Sequence, residues 1–143
     1  MARIYLDSCV VIYLIQGPVS LSRMVLAALQ PSQGEPPVVF VSDLTRLECR
    51  VWPLRQRDPG LLHEFDEFFT SDGLQTIPFE PRIFDQATEL RATHRTKTPD
   101  ALHLSAALFA GCTEFWTNDP RLRAAAEGKI ELRMFSLPEP LQA

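Results

Sequence analysis

Long hydrophobic runs are missing from this chain, and so are most of the signatures that assign a chemistry at sight. No apolar stretch approaches the roughly 20 residues of a membrane span. Val10 to Ile15 is short and starts behind Asp7 rather than a basic flank, so neither a membrane segment nor a signal peptide is expected. Cysteine is scarce. Cys9, Cys49 and Cys112 are odd in number, far apart and set among apolar neighbours, which reads as reduced thiols in a cytoplasmic setting rather than a disulfide or zinc framework. The histidines form no metal or triad pattern: His63 reads as surface, His94 as a helix end, and His103 as a core or edge position that also lies near Asp100. A G-x-S-x-G elbow around Ser8, a glycine-rich phosphate loop, internal repeats and low-complexity segments are all absent. Positive charge is not in excess either. With 14 Lys and Arg against 18 Asp and Glu the net charge is −4, which argues against coating nucleic acid by net charge and leaves room only for a local basic rim.

What remains is an ordinary soluble composition, 45% hydrophobic and 22% charged, in 143 residues. A chain of that length buries roughly two-thirds of its unfolded surface and folds as one domain without staples. Residues 1–137 are read as that domain and 138–143 as a short tail.

Arg3 to Leu6 reads as a short strand that turns into a helix at Asp7-Ser8, since Val10, Val11, Leu14 and Ile15 follow at helical spacing. Gly17-Pro18 is a break, Ser20 can cap a second helix, and Pro31 to Pro37 is a loop by composition. Val38 to Val41 is wholly apolar and β-branched, as in a strand buried on both faces of a parallel sheet. Ser42-Asp43 opens a helix that Pro53 ends or disturbs. Asp58-Pro59-Gly60 reads as a turn, Leu61 to Phe69 as a helix and Leu74 to Ile77 as a strand. Pro81 starts a helix with Ile83, Phe84, Ala87 and Leu90 inward. Thr98-Pro99-Asp100 reads as cap, proline and acid at the head of an apolar, buried helix ending at Phe109. Glu114 to Thr117 is a strand, Asn118-Asp119-Pro120 a cap followed by proline, and Ile130 to Phe135 a last strand. This alternation predicts an α/β three-layer sandwich, with an about five-stranded, mostly parallel sheet and helices on both faces.

Four acids fall where such a sheet gathers its connections. Asp7 follows the first strand, Glu48 lies in the helix after the second, Asp100 heads the buried helix, and Asp119 follows the fourth strand. Ligands bind at that carboxyl edge. Each acid also has an ordinary reading: Asp7 as a helix cap, Asp100 and Asp119 as charges favoured at helix N-termini, Glu48 as a partner of Arg46 or Arg50. Glu48, however, sits between Leu47 and Cys49 and near Leu44 and Val51, a poor place for an acid with no task. Crowded carboxylates repel unless a cation joins them. Oxygen donors without His or Cys suit Mg²⁺ or Mn²⁺ rather than zinc.

On these segments the chain resembles the PIN-domain ribonucleases, and most closely the VapC-type toxins of toxin–antitoxin pairs. Ile4 to Ser8 with the apolar residues behind it resembles the first family motif, Val41 to Cys49 the second, Thr98 to Ala107 the third, and Phe115 to Asp119 the fourth. The resemblance implies a five-stranded parallel sheet between helices and Mg²⁺- or Mn²⁺-dependent cleavage of RNA. It places Asp7, Asp100 and Asp119 as metal ligands, with Glu48 as a ligand, a water-mediated ligand or a base. It places Ser8, Thr117 and Asn118 in support. Read from the residues themselves, Arg46, Arg50, Arg91, Arg95, Lys97, Arg121 and Arg123 are candidates for a rim that holds RNA phosphates, with Arg95 and Lys97, just before the third motif, foremost. The proline-rich loop and Trp52-Pro53 are less typical of the family. The apolar first two helices fit a homodimer and an antitoxin groove. Two other readings stand beside this one. An aspartyl-phosphate enzyme also places Asp after strand one, but wants a second acid where this chain has Cys9. A PIN-like module that binds RNA or a partner without cutting would keep the fold.

Overall fold

The computed structural model describes residues 1–31 and 33–137; the tail expected at 138–143 lies outside the described residues. Its centre is a wholly parallel five-stranded sheet in the order β3-β2-β1-β4-β5. The strands are β1 (Arg3–Leu6), β2 (Val38–Ser42), β3 (Gln75–Ile77), β4 (Glu114–Thr117) and β5 (Glu131–Met134). Strand β1 is central, with Tyr5 opposite Phe40 on β2 and Phe115 on β4.

Residue parity along the strands sorts the core into two layers. Ile4, Leu6, Val41 and Trp116 pack on one face with Val10, Val11, Val25, Cys49 and Phe65. Those residues come from α1 (Ser8–Gln16), α2 (Val19–Leu29), α3 (Asp43–Arg55) and α4 (Pro59–Phe69). Tyr5, Phe40, Phe115 and Ile77 pack on the other face with Ile83, Leu90, Leu104 and Ala125. Those come from α5 (Pro81–His94), α6 (Thr98–Phe109) and α7 (Arg123–Ala126). No single helix among the described residues is long and apolar enough to cross a membrane.

The expected elements are all present, with local differences. Helix α3 runs through Pro53 to Arg55; the proline forfeits its own N–H, yet its carbonyl still accepts from Asp58. The expected turn at Asp58-Pro59-Gly60 is the head of α4, where Asp58 accepts from the Leu61 N–H (3.0 Å) and proline takes the first turn. Helix α2 begins at Val19, with Pro18 rather than Ser20 at its cap position. Thr98 lies inside α6, whose cap position is Lys97. A short 3₁₀ turn, Pro120–Leu122, precedes α7. Phe84, expected inward, is 50% exposed, because Ile83, Ala87 and Leu90 already fill the buried face of α5, which packs on α6.

Candidate functional site

The carboxyl ends of β1 and β4 set the floor of the site. Pairing of Leu6 with Trp116 brings Asp7 beside Thr117, and the Asp7 N–H donates to the Trp116 carbonyl (2.9 Å). The Thr117 hydroxyl donates to Asp7 Oδ2 (2.7 Å), while Asp7 Oδ1 accepts from the Ser8 N–H (2.8 Å). Asp7 is thus a helix cap and a buried carboxylate at once. Thr117 also accepts from the Asp119 N–H (3.2 Å), which ties the loop after β4 to the same point.

Glu48 reaches this floor from α3. The Ser8 hydroxyl donates to its Oε1 (2.8 Å), and the same oxygen meets His103 Nε2 from α6. His103 Nε2 also stands 3.7 Å from Asp7 Oδ1. Burial raises the Glu48 pKa, but the hydrogen bonds of His103 and Ser8 and the field of His103 outweigh it, so the net shift is downward. The inward position of Glu48 does not come from apolar neighbours, as its sequence context suggests. Leu47 and Val51 are exposed, and Glu48 faces the acids because α3 buries Thr45 and Cys49.

Asp100 stands half-buried in the first turn of α6. Burial, then Asp7, then Asp119 raise its pKa, and among the described residues its carboxylate takes no hydrogen bond. Asp119 is held the other way. The Arg121 guanidinium grips it through Nε (3.0 Å) and Nη2 (2.8 Å) and lowers its pKa. Arg95, Lys97 and Arg121 line a cleft of about 140 Å³ with Asp100 at its wall. Arg95 ends α5 with φ 55°, a left-handed conformation usually left to glycine.

Each acid expected from the sequence therefore lies at this edge, but at different stages of assembly. Asp7 and Glu48 are tied together through Ser8, Asp100 faces the charges of Asp7 and Asp119, and Asp119 is paired with Arg121. Among the described residues no three Asp, Glu, His or Cys side chains stand close enough to enclose an ion as they are. The Asn118 amide donates to the Tyr13 hydroxyl (2.7 Å), not to the acids. Cys9 stays outside the donor set: burial, reinforced by Asp7, pushes its thiol up to about 12. One neighbour of the acids, Tyr5, was not singled out by sequence reasoning, and Arg121, expected only as part of a basic rim, instead pairs with Asp119. A third, His103, proves to touch Glu48 rather than serving only as core. Its position three residues after Asp100 was the available signal.

The PIN-domain family profile matches residues 4–128. No curated protein matches the chain in sequence. Among solved structures, VapBC2 from Rickettsia felis, bound to a fragment of its promoter DNA, superposes with a TM-score of 0.72 at 16% identity, over 94% of this chain and 99% of that one. VapC20 from Mycobacterium tuberculosis, a toxin that cleaves the sarcin–ricin loop, gives 0.70 at 19% identity over 91% and 98%. FitAcB from Neisseria gonorrhoeae gives 0.64 at 17% identity over 90% and 95%. At such identities the likeness is one of fold.

Proposed function

The chain belongs to the PIN-domain family, and from that premise we propose that it is a Mg²⁺- or Mn²⁺-dependent endoribonuclease, the toxin of a type II toxin–antitoxin pair. The observation that carries this reading is the gathering of Asp7, Glu48, Asp100 and Asp119 at one sheet edge, with the ionisation of Asp100 opposed by burial and then by Asp7 and Asp119. Such a set gains from a shared cation, and all-oxygen donors fit a hard divalent ion. Asp7, Asp100 and Asp119 would hold it, with Glu48 ligating directly, through water or acting as base. When bound, the ion supplies Lewis acidity, acidifying water and neutralising charge that grows on the phosphate.

The chain's own residues do the rest. Thr117 and Ser8 hold the Asp7 carboxylate in one orientation. Arg121 guards Asp119 and turns to a substrate phosphate when it lets go. Arg95 and Lys97 bind RNA phosphates along the cleft beside Asp100. VapC20, described as cleaving the sarcin–ricin loop, supports RNA as the substrate class. A structure described as a toxin–antitoxin complex from Klebsiella pneumoniae, with a TM-score of 0.62 at 20% identity over 92% of this chain and 96% of that one, supports an antitoxin partner. Exposed Met24 and Leu26 on α2 and Leu47, Trp52 and Leu54 on α3 offer apolar surface for that partner or for a second copy in a homodimer. Three unpaired cysteines agree with a reducing, cytoplasmic setting.

The Arg121–Asp119 ion pair favours one second reading, a PIN-like module that binds RNA or a partner without cutting. Cleavage of RNA by the purified protein, with and without EDTA, separates the two. Asp7→Asn and Asp100→Asn, each checked for folding, should abolish the cleavage. Parental rates in either variant would refute the assignment.

A further inference from the structure

A hydrogen-bonded line runs from the sheet interior to Glu48. Tyr5, Ser42, Thr45 and His103 are at most 1% exposed. The Tyr5 hydroxyl lies 2.8 Å from Ser42 Oγ, 3.3 Å from Thr45 Oγ1 and 2.7 Å from His103 Nδ1. The opposite ring nitrogen, Nε2, meets Glu48 Oε1. The Tyr5 ring is fixed by stacking on Phe115 at 5.3 Å.

The donors along this line can be assigned in one self-consistent way. An ionised Glu48 carboxylate only accepts, so His103 Nε2–H donates to it. Nδ1 then presents its lone pair and accepts from the Tyr5 O–H. The Tyr5 oxygen in turn accepts from the Ser42 hydroxyl. Thr45, whose Oγ1 already accepts from the Ser42 N–H (3.1 Å), keeps its own proton to donate. No donor is used twice, and among the described residues no buried side-chain polar atom lacks a partner.

We propose that Tyr5 and His103 are positioning residues for Glu48: Tyr5 selects the Nε2–H tautomer of His103, and that tautomer holds the Glu48 carboxylate inward beside Asp7. Imidazoles held through one nitrogen by a buried partner commonly orient what the other nitrogen touches, and removing such outer partners typically costs about 10- to 100-fold in metal affinity or activity. The relay rests on the carboxylate-site reading above, because Glu48 needs a fixed orientation only if it serves that site.

The test has two arms. In metal-free, ¹⁵N-histidine-labelled protein, long-range ¹H–¹⁵N spectra should show His103 protonated on Nε2 and bare on Nδ1. Tyr5→Phe, which removes one hydroxyl and keeps the ring, should mix the tautomers. A wild-type His103 protonated on Nδ1, whether alone or together with Nε2, would overturn the proposal. The second arm is Mn²⁺ binding by calorimetry, with steady-state RNA cleavage beside it. His103→Leu should lose about tenfold or more in affinity. His103→Gln, whose amide N–H reaches towards Glu48, should recover most of it, and cleavage should fall through kcat with KM for RNA unchanged. A folded His103→Leu protein that binds Mn²⁺ like wild type would make His103 a packing residue only. If His103→Leu does not fold, Tyr5→Phe carries this arm. A wild-type protein that neither binds Mn²⁺ nor cuts RNA would refute the functional reading, while the tautomer spectrum still decides the relay.

Discussion

Thr117→Val puts the strongest demand on the site as described. Thr117 is fully buried, and among the described residues its hydroxyl is the one side-chain group that donates to Asp7 Oδ2, at 2.7 Å. Valine keeps the shape, and its β propensity differs from that of threonine by a small part of a scale that spans about 1 kcal/mol. The loss is therefore chiefly the hydrogen bond to a charged, buried acceptor, worth about 1.5–3 kcal/mol, with the longer bond accepted from the Asp119 N–H (3.2 Å) lost beside it. A net destabilisation of ~2–3 kcal/mol is expected in the metal-free protein. Thr117→Ser is the control: it keeps the donor and deletes one buried methyl, at about 0.5–1.5 kcal/mol. Urea titration in EDTA reads the difference. With a slope of ~2 kcal/mol/M, the midpoint should fall by about 1–1.5 M for valine and about 0.5 M for serine. A serine variant less stable than the valine one would mean that packing, not the bond to Asp7, holds this point, and the reasoning would fail.

Two further outcomes follow from other parts of the site. Arg95→Gly relieves a left-handed residue whose strain is about 1–2 kcal/mol. The freer unfolded chain returns about 0.4–1 of that, so urea stability should rise by ~0.5–1 kcal/mol. RNA affinity should weaken in the same variant, with its salt slope on a single-stranded RNA shallower by about 0.7; unchanged RNA binding would remove Arg95 from the rim. The pH dependences of two acids should have opposite signs. The Glu48 pKa is lowered on folding, so its contribution is present above the ordinary glutamate range and lost as pH falls through the folded value. The Asp100 pKa is raised on folding, so stability is lost as pH rises through its folded value. Glu48→Gln should therefore cost less stability at acid pH than at neutral pH. The stability of Asp100→Asn relative to wild type should improve as pH rises. Parallel trends in the two variants would contradict the assignment.

Much of this arrangement is legible in the residues themselves. The switch from strand to helix at Asp7, the apolar run of Val38 to Val41 and the proline at the head of α6 are local signals, and each lies where the structure has it. The line from Tyr5 to His103 is not local. Its partners are 98 residues apart, and no periodicity relates them. Glu48 is instructive: its inward position follows from the turn of α3 about Thr45 and Cys49, while the exposed Leu47 and Val51 that made it look out of place are uninvolved. Arg121 hides for another reason. An exposed arginine two residues from an acid is common, and only the two-pronged contact with Asp119 sets it apart.

The pairing of β1 with β4 has a consequence for synthesis. Asp7 leaves the ribosome early, yet the groups that seat it, the Trp116 carbonyl and the Thr117 hydroxyl, lie 109 and 110 positions further on. A nascent chain that has not reached them holds Asp7 on an unpaired strand end, with neither Asp100 nor Asp119 fixed against it. On the proposed function, the machinery making the chain is among the first RNA within reach. A site whose Asp7 is seated by the fourth strand would then stay incomplete in every unfinished copy.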